Sequence, residues 1–213
     1  MNNKKGTFIT FEGPEAVGKS TQIKLIKKFL IKQKIPYLIT REPGGTKFSE
    51  KLRYLILSKK HNINSSEEIL LLMAARLNHI NHVIIPALKK GKLVISDRFA
   101  DSTFVYQGYV NNFGLKKAIN LYKIFLNNFL PKKTFLFYLS TNDIISRLKK
   151  RKKTNKFDVI NKKFHQKVIR GYQLLSKGNN RFVKIDADSH YEIIQKILQK
   201  KIINIIKKIY VKN

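Results

Sequence analysis

The residues best suited to chemistry lie in one loop near the start of the chain, Gly13-Pro14-Glu15-Ala16-Val17-Gly18-Lys19-Ser20. This segment has the phosphate-loop pattern G-x-x-x-x-G-K-S, in which glycines allow successive backbone amides to turn toward an anion. Lys19 is expected to reach the outer phosphates of a nucleoside triphosphate, and the Ser20 hydroxyl is expected to ligate Mg²⁺. The pattern therefore predicts that residues 13–20 bind ATP and Mg²⁺.

Glu15 is an unusual member of this loop because its negative charge would repel bound phosphates. We expect its side chain to point away from the phosphates, or to accept a hydrogen bond from a neutral group. A sugar hydroxyl is one such group. A side chain that simply faces solvent is the alternative.

A phosphate loop requires a strand before it and a helix after it, and the chain supplies both. The apolar run 7–12 precedes the loop, and a helix is predicted from the loop to about residue 34. Farther along, short apolar runs alternate with longer segments of helical period, which is typical of a parallel sheet covered by helices. We predict an α/β fold of the P-loop NTPase type, with three layers and helices on both faces of a five-stranded parallel sheet. Its strands are expected at 7–12, 36–40, 92–96, 134–139 and 182–186.

Three helix starts are predicted from a hydroxyl residue followed three positions later by an acid, a pair that satisfies unbonded backbone amides. The pairs are Ser65 with Glu68, Ser140 with Asp143, and Ser189 with Glu192. The last helix, from 189 to about 210, repeats Ile and Leu at helical spacing with Lys between them. We interpret it as a terminal helix packed on the sheet and not as a membrane-surface helix.

The composition fits a folded globular chain of 213 residues, which we take as one domain. It has no cysteine, which excludes disulfides and thiolate metal sites and fits a cytoplasmic location; no membrane span is predicted. The net charge of +31 comes from 44 Lys and Arg against 13 Asp and Glu. Because these charges are dispersed, without interleaved exposed aromatic residues, we favour compositional drift of the surface over a dedicated nucleic-acid partner.

Three further stretches narrow the type of phosphotransferase. They are TREPGGT at 40–46, MAARLNH at 73–79 and SDRFADSTFVYQG at 96–108. Together with the phosphate loop, and in this order, they resemble the bacterial thymidylate kinase family over essentially the whole chain. The resemblance implies transfer of the γ-phosphoryl group of ATP to dTMP. It also implies a homodimer, which the sequence does not indicate by itself.

The resemblance further implies roles for individual residues. Asp97, at the end of a buried strand, would hold Mg²⁺ through water, and Arg98 would bind the acceptor phosphate with its two-pronged guanidinium. The other residues implied at the acceptor site are Arg41 and Pro43 in the pocket wall, Arg76 and Gln107 at the thymine ring, Tyr106 beside the sugar, Leu72 where the family has a Phe that stacks on the base, and Glu15 at the 3′-hydroxyl. The alternative for Arg76 is an arginine whose charge reaches solvent, and for Asp97 and Arg98 it is a surface ion pair.

Phosphoryl transfer also calls for a cation over the bridging oxygens of ATP. One branch of the family carries this cation in the phosphate loop beside the acid, where this chain has Ala16. We therefore expect it in the basic segment 146–160, SRLKKRKKTNKFDVI, which resembles the mobile lid of the other branch. Arg151 is the first candidate and Arg147 the second. The alternative is a solvated run of charge.

Two other kinds of function remain open from the sequence. The nearer one is another nucleoside monophosphate kinase or a deoxynucleoside kinase. The other, from a different class, is a P-loop ATPase that binds nucleic acid through its positive surface.

Overall fold

The computed structural model describes residues 6–58, 61–150 and 161–210. The strands are β1 (Thr7–Glu12), β2 (Tyr37–Arg41), β3 (Leu93–Asp97), β4 (Lys133–Tyr138) and β5 (Phe182–Asp186). Within these residues they form one five-stranded parallel sheet in the order β2-β3-β1-β4-β5. The bounds of β1 and β5 are as predicted, and those of the other three differ by one residue. Arg41 and Asp97 are polar yet still pair in register, so the apolar pattern ends before the strand does.

Helices fill the connections between the strands. Their bounds are α1 Lys19–Lys32, α2 Lys47–Leu57, α3 Ser65–His79, α4 Ile85–Lys89, α5 Ala100–Thr103, α6 Leu115–Leu126, α7 Thr141–Lys149, α8 Lys162–Ser176 and α9 Tyr191–Tyr210. A π-helical segment, Ile80–Ile84, continues α3, and a second one, Phe104–Val110, continues α5. A π-helical turn inside a helix is often found at a functional site.

The sheet is buried between two layers of helices, which explains why its central strands are mostly apolar and show no regular alternation of polar and apolar residues. Side chains on one face, such as Ile9 and Phe11, pack in a core with residues of α1 and α9. Side chains on the other face, such as Phe8 and Val94, pack with residues of α3 and α6. The predicted three-layer α/β fold is therefore confirmed.

Two predicted helix starts in the middle of the chain have different outcomes. Ser140 accepts a hydrogen bond from the backbone N–H of Asp143, as predicted for the start of α7. The prediction at Ser65 is wrong by one residue, because Asn64 caps α3 and Glu67 closes the capping box. An asparagine is at least as good a cap as a serine, and either residue of the Asn-Ser pair could have served.

The terminal helix α9 begins at Tyr191, so the predicted start at Ser189 is two residues too early. The chain first makes a turn after β5, in which the Asp188 N–H donates to the Asp186 carboxylate. The helix packs on the sheet as expected, through the buried residues Ile194, Leu198, Ile202 and Ile206. Ile193 and Ile197 share the apolar spacing but are 53% and 40% exposed.

Among the residues described, Ser65–Lys89 is the one helical run long and apolar enough to cross a membrane. Of the most apolar stretch of 18 residues in this run, 44% is buried inside the protein. Ile69, Met73, Ile80 and Ile84 of this run belong to the core on one face of the sheet. Its apolar composition is accounted for by this packing.

Candidate active site

A cavity of about 320 Å³ opens at the carboxyl ends of β1 and β3, the edge of a parallel sheet at which ligands usually bind. Its wall contains most of the residues predicted for the site. From the phosphate loop these are Glu15, Ala16, Val17, Gly18, Lys19 and Ser20, and from the predicted acceptor site they are Arg41, Pro43, Leu72, Arg76, Asp97, Arg98, Tyr106 and Gln107. Gly13 and Pro14 belong to the loop but do not line the cavity. Stretches far apart in the sequence thus meet at one place.

The backbone of the phosphate loop has the conformation that its glycines permit. Gly13 has φ 133°, and a Cβ there would collide with the carbonyl oxygen of Phe137 in β4. Gly18, just before α1, has φ 87° with open space around it, so conformation alone favours glycine there. Ala16 has φ 60°, a left-handed value that a residue with a side chain rarely adopts. Such strain is typical of a binding loop.

Lys19 is held inside the loop. Its Nζ donates to the carbonyl oxygens of Gly13, at 2.9 Å, and Pro14, at 2.6 Å. Burial lowers the pKa of Lys19 to about 8, and the positive charge of Arg98 adds to this effect. An anion bound in the loop would favour the charged form of this lysine.

Ser20 and Asp97 meet beside the loop. The Ser20 Oγ, in the first turn of α1, donates to Oδ2 of Asp97, the last residue of β3, at 2.9 Å. In the described parts of the chain no three His, Cys, Asp or Glu side chains form a metal site of their own. Magnesium prefers hard oxygen ligands and often takes one or two from the protein and the rest from phosphates and water. The hydroxyl and carboxylate present here fit that ion.

Arg98 is fixed by several hydrogen bonds at the cavity wall. Its Nη1 donates to the Gly13 carbonyl at 3.0 Å, to Ser102 Oγ at 2.9 Å and to the Tyr172 hydroxyl at 3.4 Å. Its Nη2 donates to Oε1 of Glu15 at 2.8 Å. Burial alone would lower the pKa of Arg98, but the surrounding acidic groups, Glu15 among them, raise it, so the guanidinium stays charged. It is not a surface ion pair with Asp97.

Glu15 is 7% exposed, which excludes the solvent-facing alternative. Its Oε1 pairs with Arg98, and its Oε2 accepts from the Tyr106 hydroxyl at 2.7 Å. Burial raises the pKa of Tyr106 above its usual value, so the hydroxyl is a neutral donor, as expected for a partner of Glu15. The charged partner, Arg98, was not expected, because it lies 83 positions away in the sequence.

Arg76 does not reach solvent, since its side chain is 2% exposed. Its Nε donates to Oε2 of Glu42 at 2.6 Å, and its Nη2 donates to Thr103 Oγ1 at 2.9 Å. The third nitrogen, Nη1, is buried without a hydrogen-bond partner. A buried donor without a partner is costly and marks a position where a ligand atom could accept.

Glu42 forms an ion pair with Arg76 and is a site residue that was not predicted from the sequence. Its Oε1 contacts Nδ1 of His79 at 2.9 Å, and Nε2 of His79 contacts Thr40 Oγ1 at 2.7 Å. Glu42 and His79 are both buried. The available signal was that a buried arginine needs a buried acid, and an acid lies inside TREPGGT.

Gln107 and Tyr106 lie on the π-helical segment Phe104–Val110. The Gln107 Nε2 donates to Oε1 of Glu68 at 3.1 Å, and both residues line the cavity. Because a carboxylate can only accept, this contact holds the amide nitrogen on Glu68 and leaves the amide oxygen for another donor. Glu68 was predicted as a helix-capping acid, and this prediction is wrong. Leu72, one turn further along α3, lines the same cavity.

Arginines add positive charge at the cavity. Arg41 is 57% exposed and pairs with Glu50 at 3.0 Å, while Nη1 of Arg53 donates to the Pro43 carbonyl at 2.8 Å. Burial lowers the pKa of Arg53, and the charges of Arg41 and Arg98 lower it further. All three arginines line the cavity. Arg53 was not predicted, since no motif marks it within α2. The cluster suits an anionic ligand.

Arg147, the second candidate for the lid cation, lies in α7 outside the cavity wall. Its Nη2 donates to the Ala187 carbonyl at 3.2 Å, and its side chain is 40% exposed. The first candidate, Arg151, and the rest of segment 151–160 lie outside the described residues.

A phosphate loop that opens into a cavity with a cluster of arginines and a buried, unpartnered donor defines a P-loop phosphotransferase that acts on a nucleotide. Comparison with known proteins identifies the particular family. A family model described as thymidylate kinase matches residues 11–198, and the chain belongs to this family. The predicted resemblance is therefore confirmed.

Several curated relatives carry the name thymidylate kinase and match almost end to end. One from Clostridium novyi (strain NT) is 39% identical over 188 residues, covering 86% of this chain and 92% of the relative. One from Caldicellulosiruptor saccharolyticus is 38% identical over 204 residues, covering 96% and 99%. One from Rickettsia bellii (strain OSU 85-389) is 40% identical over 199 residues, covering 92% and 96%.

Proposed function

We propose that this chain carries out the reaction of its family by binding ATP in the phosphate loop and dTMP in the adjoining cavity. It transfers the γ-phosphoryl group of ATP to dTMP and yields dTDP and ADP. The observation that carries the proposal is the shared cavity, whose wall joins Lys19 and Ser20 to Arg76 and Gln107. Alignment of a donor and an acceptor in one site is most of what phosphoryl transfer requires.

On the donor side, residues 13–20 bind the phosphates of ATP. Backbone amides of the loop and the N-terminus of α1 face the anion, and Lys19 contacts the outer phosphates. Ser20 and Asp97 would hold Mg²⁺ beside the phosphates. When bound, this ion neutralises charge on the phosphate oxygens. The contact between Ser20 and Asp97 supports these roles.

On the acceptor side, Arg98 binds the phosphate of dTMP. A phosphate oxygen of dTMP attacks the γ-phosphorus of ATP, and the bond from that phosphorus to the bridging oxygen breaks, so the electron pair remains on ADP. The guanidinium of Arg98 stabilises the charge on the acceptor phosphate during this transfer. Arg41 and Arg53 line the same cavity and add positive charge to it, which supports the assignment.

The base of dTMP is read by one donor and one acceptor. Arg76 Nη1 donates to O4 of thymine, and the Gln107 amide oxygen accepts from N3–H, because its nitrogen is held by Glu68. Cytosine presents the opposite pattern at both positions and would leave buried groups unpaired. Leu72 contacts the thymine ring, and Pro43 forms part of the pocket wall.

The sugar of dTMP lies against Tyr106 and Glu15. Tyr106 lines the cavity, and at this place its ring would crowd out a 2′-hydroxyl. A carboxylate has about four lone-pair positions, so Glu15 can accept a hydrogen bond from the 3′-hydroxyl of dTMP while it keeps its hydrogen bonds from Arg98 and Tyr106. These two hydrogen bonds support the role, because they fix the carboxylate at the cavity wall.

The remaining predictions concern the chain as a whole. We propose one domain over 1–213, with a lid at about 146–160 whose Arg151 and Arg147 act on ATP. We also propose a homodimer, supported by exposed apolar residues on the neighbouring helices α3 and α6, namely Leu70, Leu77, Ile124 and Phe125. The cytoplasmic location and the lack of a dedicated nucleic-acid partner stay predictions.

A panel of acceptors tests the proposed function. The purified protein is assayed with MgATP and, in turn, dTMP, dUMP, AMP, GMP and CMP, with ADP formation coupled to a readout. We expect the highest kcat/KM with dTMP. A preference for a purine or cytidine monophosphate would contradict the base-reading roles of Arg76 and Gln107.

A further inference from the structure

The carboxylate of Glu12 lies behind the active site and has no role in the steps above. Glu12 is the last residue of β1 and is 0% exposed. Three donors converge on it: the Phe99 N–H at 2.7 Å to Oε1, and the Ser102 Oγ at 2.6 Å and Tyr172 hydroxyl at 3.0 Å to Oε2. This set of partners matches an ionised carboxylate, which can only accept.

The two hydroxyls connect Glu12 to Arg98. Each has a single hydrogen, so when Ser102 and Tyr172 both donate to Glu12, their lone pairs remain for Arg98. The Arg98 Nη1 is 2.9 Å from the Ser102 oxygen and 3.4 Å from the Tyr172 oxygen. The direction of the chain of hydrogen bonds, from guanidinium to hydroxyl to carboxylate, is therefore set by Glu12.

Glu12 also acts on the backbone at Arg98. Arg98 has φ 68°, in the left-handed region that is unfavourable for a residue with a Cβ. The next peptide N–H, that of Phe99, donates a hydrogen bond to Glu12. A strained conformation persists only when its surroundings hold it, and this bond is one of the restraints.

The electrostatics agree with this geometry. Burial raises the pKa of Glu12 to about 7, and the charge of Asp101 adds to the effect, whereas Arg98, Ser102 and the Phe99 amide lower it. Above this pH the carboxylate is ionised and accepts from all three donors. The tests below are therefore made above the pKa of Glu12.

We propose that Glu12 is a positioning residue for phosphoryl transfer, which holds the guanidinium of Arg98 in place through Ser102, Tyr172 and the Phe99 amide. The inference rests on the proposed role of Arg98 toward the phosphate of dTMP. Four elements meet in this arrangement, because Glu12 ends β1, Arg98 follows β3, Ser102 lies in α5 and Tyr172 lies in α8. None of the three supporting side chains needs to touch substrate.

A double-mutant cycle tests the inference. kcat/KM for dTMP is measured at saturating ATP for the wild type, Glu12→Gln, Arg98→Ala and the double variant. We expect Glu12→Gln to lower kcat/KM about tenfold in the wild-type background, mainly by raising KM for dTMP. In the Arg98→Ala background the same change should lower kcat/KM for dTMP less than about twofold, because the effects of substitutions at coupled residues are not additive. Equal costs in both backgrounds would overturn the inference.

The cycle also separates the inference from the proposal on which it rests. If Arg98→Ala leaves kcat/KM for dTMP unchanged, the proposed role of Arg98 fails. If Arg98→Ala lowers it but the cycle is additive, only the role of Glu12 fails.

A milder pair of variants keeps the test valid if Glu12→Gln does not fold. Tyr172→Phe removes one hydroxyl of the network and leaves the carboxylate in place, and it is taken through the same cycle with Arg98→Ala. Tyr122→Phe is the matched control, since Tyr122 is equally buried but donates to the Phe129 carbonyl away from Arg98. We expect a loss of at least about threefold in kcat/KM for Tyr172→Phe alone. Equal effects of Tyr172→Phe and Tyr122→Phe would contradict the inference.

Discussion

Replacement of Arg76 by methionine should separate two effects, one on stability and one on dTMP binding. The pair of Arg76 with Glu42 is buried, with side chains 2% and 3% exposed. Removing one member of such a pair costs about 3–5 kcal/mol of folding free energy, because the other charge is left without its partner. His79 still contacts Glu42 in the variant, so we expect about 3 kcal/mol. For a domain of this size that corresponds to a fall of roughly 6–12 °C in Tm.

The effect of Arg76→Met on dTMP follows from the unpartnered Nη1. A hydrogen bond from a charged donor contributes about 1.5–3 kcal/mol, so KM for dTMP should rise roughly 10- to 140-fold. The double variant Arg76→Met/Glu42→Gln removes both charges, and we expect it to regain most of the lost Tm without regaining affinity for dTMP.

Thermal unfolding and steady-state kinetics on the same samples measure both effects. Arg181→Met is the matched control, because Arg181 forms a pair with the buried Asp101 at 2.7 Å outside the cavity wall. It should lower Tm while KM for dTMP changes less than about threefold. The reasoning is refuted if Arg76→Met/Glu42→Gln binds dTMP as well as the wild type, or if Arg76→Met has the wild-type Tm.

Four further predictions concern the two substrates. Glu15→Gln should raise KM for dTMP about tenfold with little change for ATP, since it weakens the hold on Arg98; a defect confined to ATP binding would contradict this. Leu72→Phe should lower KM for dTMP about fivefold, by roughly 1 kcal/mol of ring stacking, and an unchanged or higher KM would show that Leu72 does not face the base. Because the pKa of Lys19 is lowered to about 8, its charge is lost as the pH rises through that value, so the Kd for ATP measured by calorimetry should rise there and stay level in Lys19→Arg. Arg151→Ala or Arg147→Ala should lower kcat at least tenfold, and if neither does, the basic segment is only surface charge.

The fold was predictable because buried parallel strands have continuous apolar sequences, and β1 is buried along its whole length. β2 is half-buried at the edge of the sheet, so its apolar pattern is weaker, but its bounds differ from the prediction by one residue, as do those of the buried strands β3 and β4. The cap of α3 was missed because Asn64 and Ser65 are adjacent and chemically equivalent as caps.

The part of the site that touches phosphate was predictable because it is encoded in short contiguous motifs. The residues that hold those motifs in place could not be predicted from the sequence. Glu12 contacts Tyr172 across 160 positions, Glu42 contacts Arg76 across 34, and Glu68 contacts Gln107 across 39. Glu12 ends a strand, Glu42 lies in a loop and Glu68 lies in a helix, and only folding brings each acid to its partner.

The central claim is that the γ-phosphoryl group of ATP moves to dTMP at the cavity beside the phosphate loop. Its most direct test follows the label from [γ-³²P]ATP with dTMP and Mg²⁺, using the wild type and Lys19→Ala. The account predicts labelled dTDP with the wild type, a loss of at least about a hundredfold in its rate of formation with Lys19→Ala, and no labelled product without dTMP. Label released as inorganic phosphate, or labelled dTDP formed equally fast by Lys19→Ala, would contradict it.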